Sequence, residues 1–225
     1  MTPFVVMDCV LLTRMSGLPE AASLRELRER LAVCRENVLY HHFSETLLRP
    51  SFDYPDYHND FAVWAKLNLA DPVLAERFGV LDPYAFSSLE ELRGVMLDII
   101  DERLNALPYT PAVYRGAEFY FFEADTVVFD TGDRICTPEE LAPAVARMTT
   151  GSIFFHFIEA RRREPLGMDD FSAWLGWFGD EGAACREALG TIDVGFLTLS
   201  ELRDEIYARL AAQCGLTGEG ESDDG

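Results

Sequence analysis

Lysine is nearly missing from this chain: Lys66 stands alone among 19 basic residues, against 39 acidic ones, and the formal charge is −20 at pH 7. So large an excess of carboxylates repels phosphate backbones and anionic lipid, which argues against nucleic acid and membrane surfaces as partners. The basic spot at Arg161, Arg162 and Arg163 does not reverse that. Arginine in place of lysine fits a GC-rich genome or, with the acidity, a saline cytoplasm. Only four histidines are present (His41, His42, His58, His156), so a metal centre would need carboxylates to complete it, and none is expected. The five cysteines (Cys9, Cys34, Cys136, Cys185, Cys214) are scattered without a C-x-x-C pair. That spacing gives neither a disulfide framework nor a zinc ribbon, and buried reduced thiols are the expectation. No apolar run approaches the roughly 20 residues of a membrane helix. The apolar opening "MTPFVVMDCVLLTRM" has no basic leader, is broken by Asp8, and is followed by no small-residue cleavage site. It reads as a buried strand, with the cytoplasm as the expected location. H-E-x-x-H, G-x-S-x-G, G-x-x-x-x-G-K-S/T and G-x-G-x-x-G are all missing, and with them the common zinc, nucleophile and phosphate machineries; no cofactor is expected.

What is there is a core and a repeat. With 48% hydrophobic and 12% aromatic residues, 225 residues can bury one large core or two small ones. The displacement 156 − 42 = 114 carries His42 to His156, and it also carries Ser23 to Thr137, Glu26 to Glu140, Leu27 to Leu141 and Leu31 to Val145. Further on, "NDFAVW" (59–64) matches "DDFSAW" (169–174), and "FSSLEELR" (86–93) matches "FLTLSELR" (196–203), both displaced by 169 − 59 = 110 because the first copy carries a longer loop. The early strands "VVMD" (5–8) and "VVFD" (127–130) correspond as well. The expectation is a tandem, pseudo-twofold duplication: a first copy over 1–107, a linker at 108–115, a second copy over 116–213 and a frayed acidic tail at 214–225.

Each copy reads as a strand, three helices, a weaker fourth and a long last helix, giving an α+β, predominantly helical fold with a small β element. Ser23 with Glu26, Ser88 with Glu91, Thr137 with Glu140 and Thr198 with Glu201 fit the capping-box pattern, and Pro138 suits a first helical turn. Behind these caps the apolar positions keep helical spacing, as in Leu199, Leu202, Ile206 and Leu210. "EFYFFEADTVVFDTG" (118–132), aromatic and β-branched around a polar "EAD", predicts two strands joined by a tight turn.

The linked stretches "HFSE", "NDFAVW", "LDPYAFSSLEELR", "VVFDTG", "SIFFHFIEARRR" and "DDFSAWL" make essentially the whole chain resemble the bacterial and archaeal family catalogued as domain of unknown function 5752. The resemblance implies no chemistry, since that family name carries none. The second copy departs from the first's Asp82-Pro83-Tyr84, reading Asp193-Val194-Gly195, so a role for Pro83 or Tyr84 need not be shared.

The recurring polar residues are the candidates for a site. His42, Glu45 and Arg49 sit at i, i+3 and i+7, as do His156, Glu159 and Arg163, which on a helix places each trio along one stripe. One reading is structural: the histidine donates to a carboxylate opening the next helix, at Asn59-Asp60 or Asp169-Asp170, with a Glu-Arg pair beside it. The sharper reading makes the same residues a site, with histidine and glutamate as base and orienting acid or as two metal ligands, because their side chains converge at that spacing. Phe61 and Trp64, like Phe171 and Trp174, have core spacing. Trp177 and Phe178 have no counterpart in the first copy and could form a platform for a partner protein or a sugar. The loop "PSFDYPDYHND" (50–60) offers Asp53, Tyr54, Asp56 and Tyr57 as a recognition surface, or else is pinned by its own aromatics. The expected function is a non-catalytic binding or adaptor module for a protein with a basic or polar patch. An enzyme on a small molecule or sugar derivative is the alternative and a scaffold the third reading; the oligomeric state is open.

Overall fold

The computed structural model describes residues 2–48, 57–163, 167–194 and 197–213. The acidic tail at 214–225 and most of the 50–60 loop lie outside the described residues. The fold is α+β and predominantly helical.

Two strands, β1 (Phe4–Met15) and β2 (Phe122–Ile135), pair in a two-stranded sheet. They run antiparallel: Thr131 Oγ1 donates to the Val6 carbonyl at 2.8 Å, and Ser16 N–H donates to the Phe121 carbonyl at 2.9 Å. Where the sequence predicts two strands with a turn at "EAD", β2 is a single strand of 14 residues. The polar interruption is neutralised in place. Arg14 on β1 pairs with Asp125 and reaches Glu123 at 3.0 Å, while Arg35 approaches Glu123 to 2.8 Å. No turn is needed to carry these carboxylates to water.

The chain packs as two compact units. The first is Leu11–Thr126; the second takes the chain up to Val10 and resumes at Val127. These packing limits cut through both strands. Each unit thus combines a run of helices with the leading end of one strand and the trailing end of the other. The repeat limits at 107 and 116 are a matter of sequence alone.

In the first unit, α1 (Leu24–Leu31), α2 (Glu36–Phe43), α3 (Asp60–Leu67), α4 (Pro72–Gly79) and α5 (Leu89–Ala106) enclose a core that includes Leu24, Leu27, Phe61, Phe78, Leu92, Ile100 and Phe121. The Ser23 hydroxyl accepts from Glu26 N–H at 3.3 Å, and the Glu26 carboxylate accepts from Ala22 N–H at 2.8 Å, satisfying amides that open α1. Glu91 does the same for α5 through Ser87 and Ser88. Arg28 ties α1 to α5 by two bonds of 2.8 Å to Asp101, and Arg103 ties α5 to the α4 cap at Asp71. The expected linker is laid against residues 22–24, with Val113 N–H donating to Ala22 O and Leu24 N–H to Pro111 O.

The second unit holds α6 (Pro138–Val145), α7 (Thr150–Ile153), α8 (Asp170–Leu175), α9 (Asp180–Gly190) and α10 (Leu199–Gln213). Its buried face includes Leu141, Phe154, Phe157, Phe171, Leu189, Leu202 and Ile206. Glu140 and Glu201 close their capping boxes on the amides of Thr137 and Thr198. The helix carrying His156 does not stay regular: α7 runs into a π turn over Phe154–Ile158 and then a 3-10 turn over Glu159–Arg162.

Candidate functional site

Each unit contains one buried histidine wired in the same way. His156 Nε2 lies 2.9 Å from Met7 N, and its Nδ1 lies 2.7 Å from Asp170 Oδ2. His42 Nε2 lies 3.0 Å from Phe122 N, and its Nδ1 lies 2.6 Å from Asp60 Oδ2. A backbone N–H can only donate, so Nε2 must present its lone pair and the ring proton sits on Nδ1, directed at the carboxylate. Both nitrogens of both rings are therefore spent. Each strand of a two-stranded sheet has an open edge, and each histidine supplies an acceptor to an amide that would otherwise lack one. The same ring then reaches the first turn of the next helix, so one side chain fixes strand and helix together.

The aromatic setting is matched as well. His156 packs 4.8 Å from Phe4 and 5.6 Å from Phe171. His42 packs 4.9 Å from Phe119 and 5.4 Å from Phe61. Trp174 Nε1 donates to Thr2 O at 3.3 Å, and Trp64 Nε1 donates to Ala117 O at 2.8 Å. The strand residues in equivalent roles are thus displaced by 119 − 4 = 115 and 122 − 7 = 115. Letter similarity pairs "VVMD" with "VVFD" instead, a displacement of 127 − 5 = 122. Burial decides between them: Phe119 and Phe121 are buried like Phe4 and Val6, whereas Val127, Val128 and Phe129 are exposed.

Of the residues expected on shared stripes, His156 and Arg163 meet at Asp170. In the first unit α2 ends at Phe43 and Glu45 opens a 3-10 turn, so Glu45 binds His41, Nδ1 to Oε2 at 2.7 Å, rather than His42. In the second unit Glu159 opens a 3-10 turn after the π turn and approaches Arg162 at 3.7 Å, while Arg163 pairs at 3.0 Å with Asp170, the carboxylate that His156 also bonds. Arg49, Asp53, Tyr54 and Asp56 lie outside the described residues. Tyr57 is turned onto its own unit, its ring over Gly79 and its hydroxyl donating to Glu76 at 2.8 Å. The i,i+4 spacing of His41 and Glu45, and the fact that only the second histidine of "HH" has a partner in the repeat, were the signals that separate the two rings.

Beside His156 the second unit opens a cleft of about 550 Å³. Its walls include Phe4, Phe155, Met168, Trp174 and Trp177, and Arg163 and Asp170 line it too. Trp177, on a short turn after α8, is 60% exposed. Arg163 stacks on Phe155 at 4.2 Å and donates through Nη2 to Phe155 O and Asp170. Next to it the buried Asp169 caps α8 through Ser172 N–H at 2.8 Å, and burial pushes its carboxyl above the ordinary range. Burial likewise pushes the Cys34 thiol up to about 11, which suits packing and not nucleophilic use. Among the described residues no group of three or more His, Cys, Asp or Glu side chains could hold a metal ion, and no helix is long and apolar enough to cross a membrane.

Residues 1–211 match the model of a family of unknown function, DUF5752, and the chain belongs to that family. It is similar to OrfY from Thermoproteus tenax, whose solved structure aligns over 94% of this chain and 95% of its own at 27% identity, with a TM-score of 0.77. No curated protein matches the chain.

Proposed function

We propose that the protein is a non-catalytic binding module for protein partners, built by duplication of a strand-plus-helices copy over 1–107 and 116–213, and working in the cytoplasm. One observation carries the reading: both ring nitrogens of His42 and of His156 are already bonded to a strand amide and a carboxylate, so neither ring has an atom left for proton transfer or ligation. The recognition surface is the cleft of the second unit with Trp177 at its rim, an exposed aromatic of the kind that anchors interfaces. The charge of −20 favours partners with basic or polar patches and disfavours nucleic acid and anionic membranes. A catalytic reading would have to run through His41, whose Nε2 has no partner among the described residues, but that ring is wholly buried.

The test is capture from native lysate at low and high salt with wild-type protein, Trp177→Ala and His156→Ala, each with its thermal midpoint. The reading expects a protein partner lost by Trp177→Ala at unchanged midpoint, and a lowered midpoint for His156→Ala. Nucleic acid as the main species captured, or identical capture by wild type and Trp177→Ala, refutes it.

A further inference from the structure

We infer that the cleft of the second unit binds a flat, apolar organic monoanion, a carboxylate or sulfonate on an aromatic frame; the inference rests on reading that cleft as the recognition surface. Its volume of about 550 Å³ falls within the span of small-ligand sites, roughly 300–1,000 Å³. Phe4, Trp174, Trp177 and Met168 give it an apolar wall, and a flat ring stacks well on an exposed indole. The platform belongs to this unit alone: at the displacement of 174 − 64 = 110, Trp177 corresponds to Leu67.

The cation decides the sign of the ligand. Arg163 is the cleft's basic side chain and is 40% exposed. Among the described residues its hydrogen bonds all leave from Nη2, and its Nε is buried with no partner there. The guanidinium thus keeps donors at its Nη1 end, and packing against Phe155 holds its plane in place. An anion gains those donors without displacing a bond. A cationic ligand would sit beside the guanidinium, and Asp170 Oδ2 already receives both His156 and Arg163. The frame supplies contact area and Arg163 supplies the choice of charge.

The experiment uses the full-length protein and 8-anilinonaphthalene-1-sulfonate as fluorescent probe, displaced by indole-3-propionate or by its primary amide. The acid is expected to displace the probe at a concentration about tenfold lower than the amide, corresponding to about 1.4 kcal/mol. Arg163→Gln should erase that ratio, and Trp177→Ala should weaken acid and amide alike, at least fivefold. Equal displacement by acid and amide from wild type overturns the inference, and so does probe binding that Trp177→Ala leaves unchanged. Should Arg163→Gln fail to fold, the acid-to-amide ratio in wild type decides. Loss of a captured protein in Trp177→Ala together with equal acid and amide displacement refutes the anion site and leaves the binding-module reading standing.

Discussion

Replacing His156 separates a structural node from a site, because three substitutions remove different parts of what the ring does. His156→Ala removes both hydrogen bonds and the ring. The Met7 amide, which has one hydrogen and gives it to Nε2, is left partly buried without an acceptor, at about 1–3 kcal/mol. Asp170 loses less, since it is 31% exposed and keeps Arg163 at 3.0 Å. The void between Phe4, Phe155 and Phe171 adds about 2 kcal/mol, below the roughly 3–5 kcal/mol of a buried phenyl ring cut to alanine because the imidazole is smaller and more polar. The sum is about 3–5 kcal/mol. His156→Phe fills the void and keeps the orphaned amide, so about 1–3 kcal/mol remains. His156→Gln can present a carbonyl to the Met7 amide and should be the mildest of the three.

Equilibrium urea unfolding followed by tryptophan fluorescence reads the series, since Trp174 lies 5.7 Å from Phe4. With a slope of about 2–3 kcal/mol/M for a chain of this size, His156→Ala should lower the midpoint by about 1–2 M. The same order, Gln above Phe above Ala, is expected at His42, where the Phe122 amide and Asp60 hold the corresponding places. Indistinguishable midpoints for wild type and His156→Ala would refute the reasoning, and so would a His156→Gln variant no better than His156→Ala.

Two further substitutions test neighbouring features. Asp169→Asn should leave the urea midpoint at pH 7 unchanged or raised, because asparagine caps as well as aspartate and Asn59 fills the corresponding place before α3 at 2.9 Å from Ala62 N. The folded state holds the Asp169 proton more readily than the unfolded chain, so lowering the pH through the raised folded value toward about 3.9 should stabilise wild type relative to the variant; a difference independent of pH would show that burial is not the cause. Gly151→Ala should cost about 1–3 kcal/mol in the same assay, since a Cβ there would stand 2.5 Å from the Cys9 carbonyl oxygen and against the Asp8 carboxylate; an unchanged midpoint would mean that strand and helix can part at no cost.

The helices were legible because their signals are local. A hydroxyl three residues before a glutamate, followed by apolar residues at helical spacing, specifies a start and a buried face without reference to the rest of the chain. The histidine node was half legible. The carboxylates opening α3 and α8 could be named as neighbours of His42 and His156, because side chains near helix starts are constrained. Its other half is a backbone amide, 80 residues away from His42 and 149 from His156, and an amide has no letter in a sequence. Register failed for a related reason: "VVMD" and "VVFD" look alike, but the buried Phe119 and Phe121 come just before β2, ahead of those letters. The surroundings of Glu45 and Glu159 were not legible because helical spacing assumes an α-helix through positions where the chain changes to π and 3-10 turns.

The two nodes are alike, and their surroundings are not. At the displacement of 156 − 42 = 114, His41, Ser44 and Thr46 of the first unit stand where the second has Phe155, Ile158 and Ala160. His41 Nε2, Ser44 Oγ and Thr46 Oγ1 are buried and have no hydrogen-bond partner among the described residues, at about 1–3 kcal/mol for each such group. The second unit carries Phe155 instead, and there the ring serves as the surface on which Arg163 stacks. A frame that keeps its strand-to-helix histidine twice while exchanging apolar for polar side chains within four residues of it holds its geometry with the first and varies its chemistry with the second. That is why the search for a ligand belongs at Phe155, Arg163 and Trp177, which line an apolar cleft, and not at His42 and His156, whose ring nitrogens are already bonded.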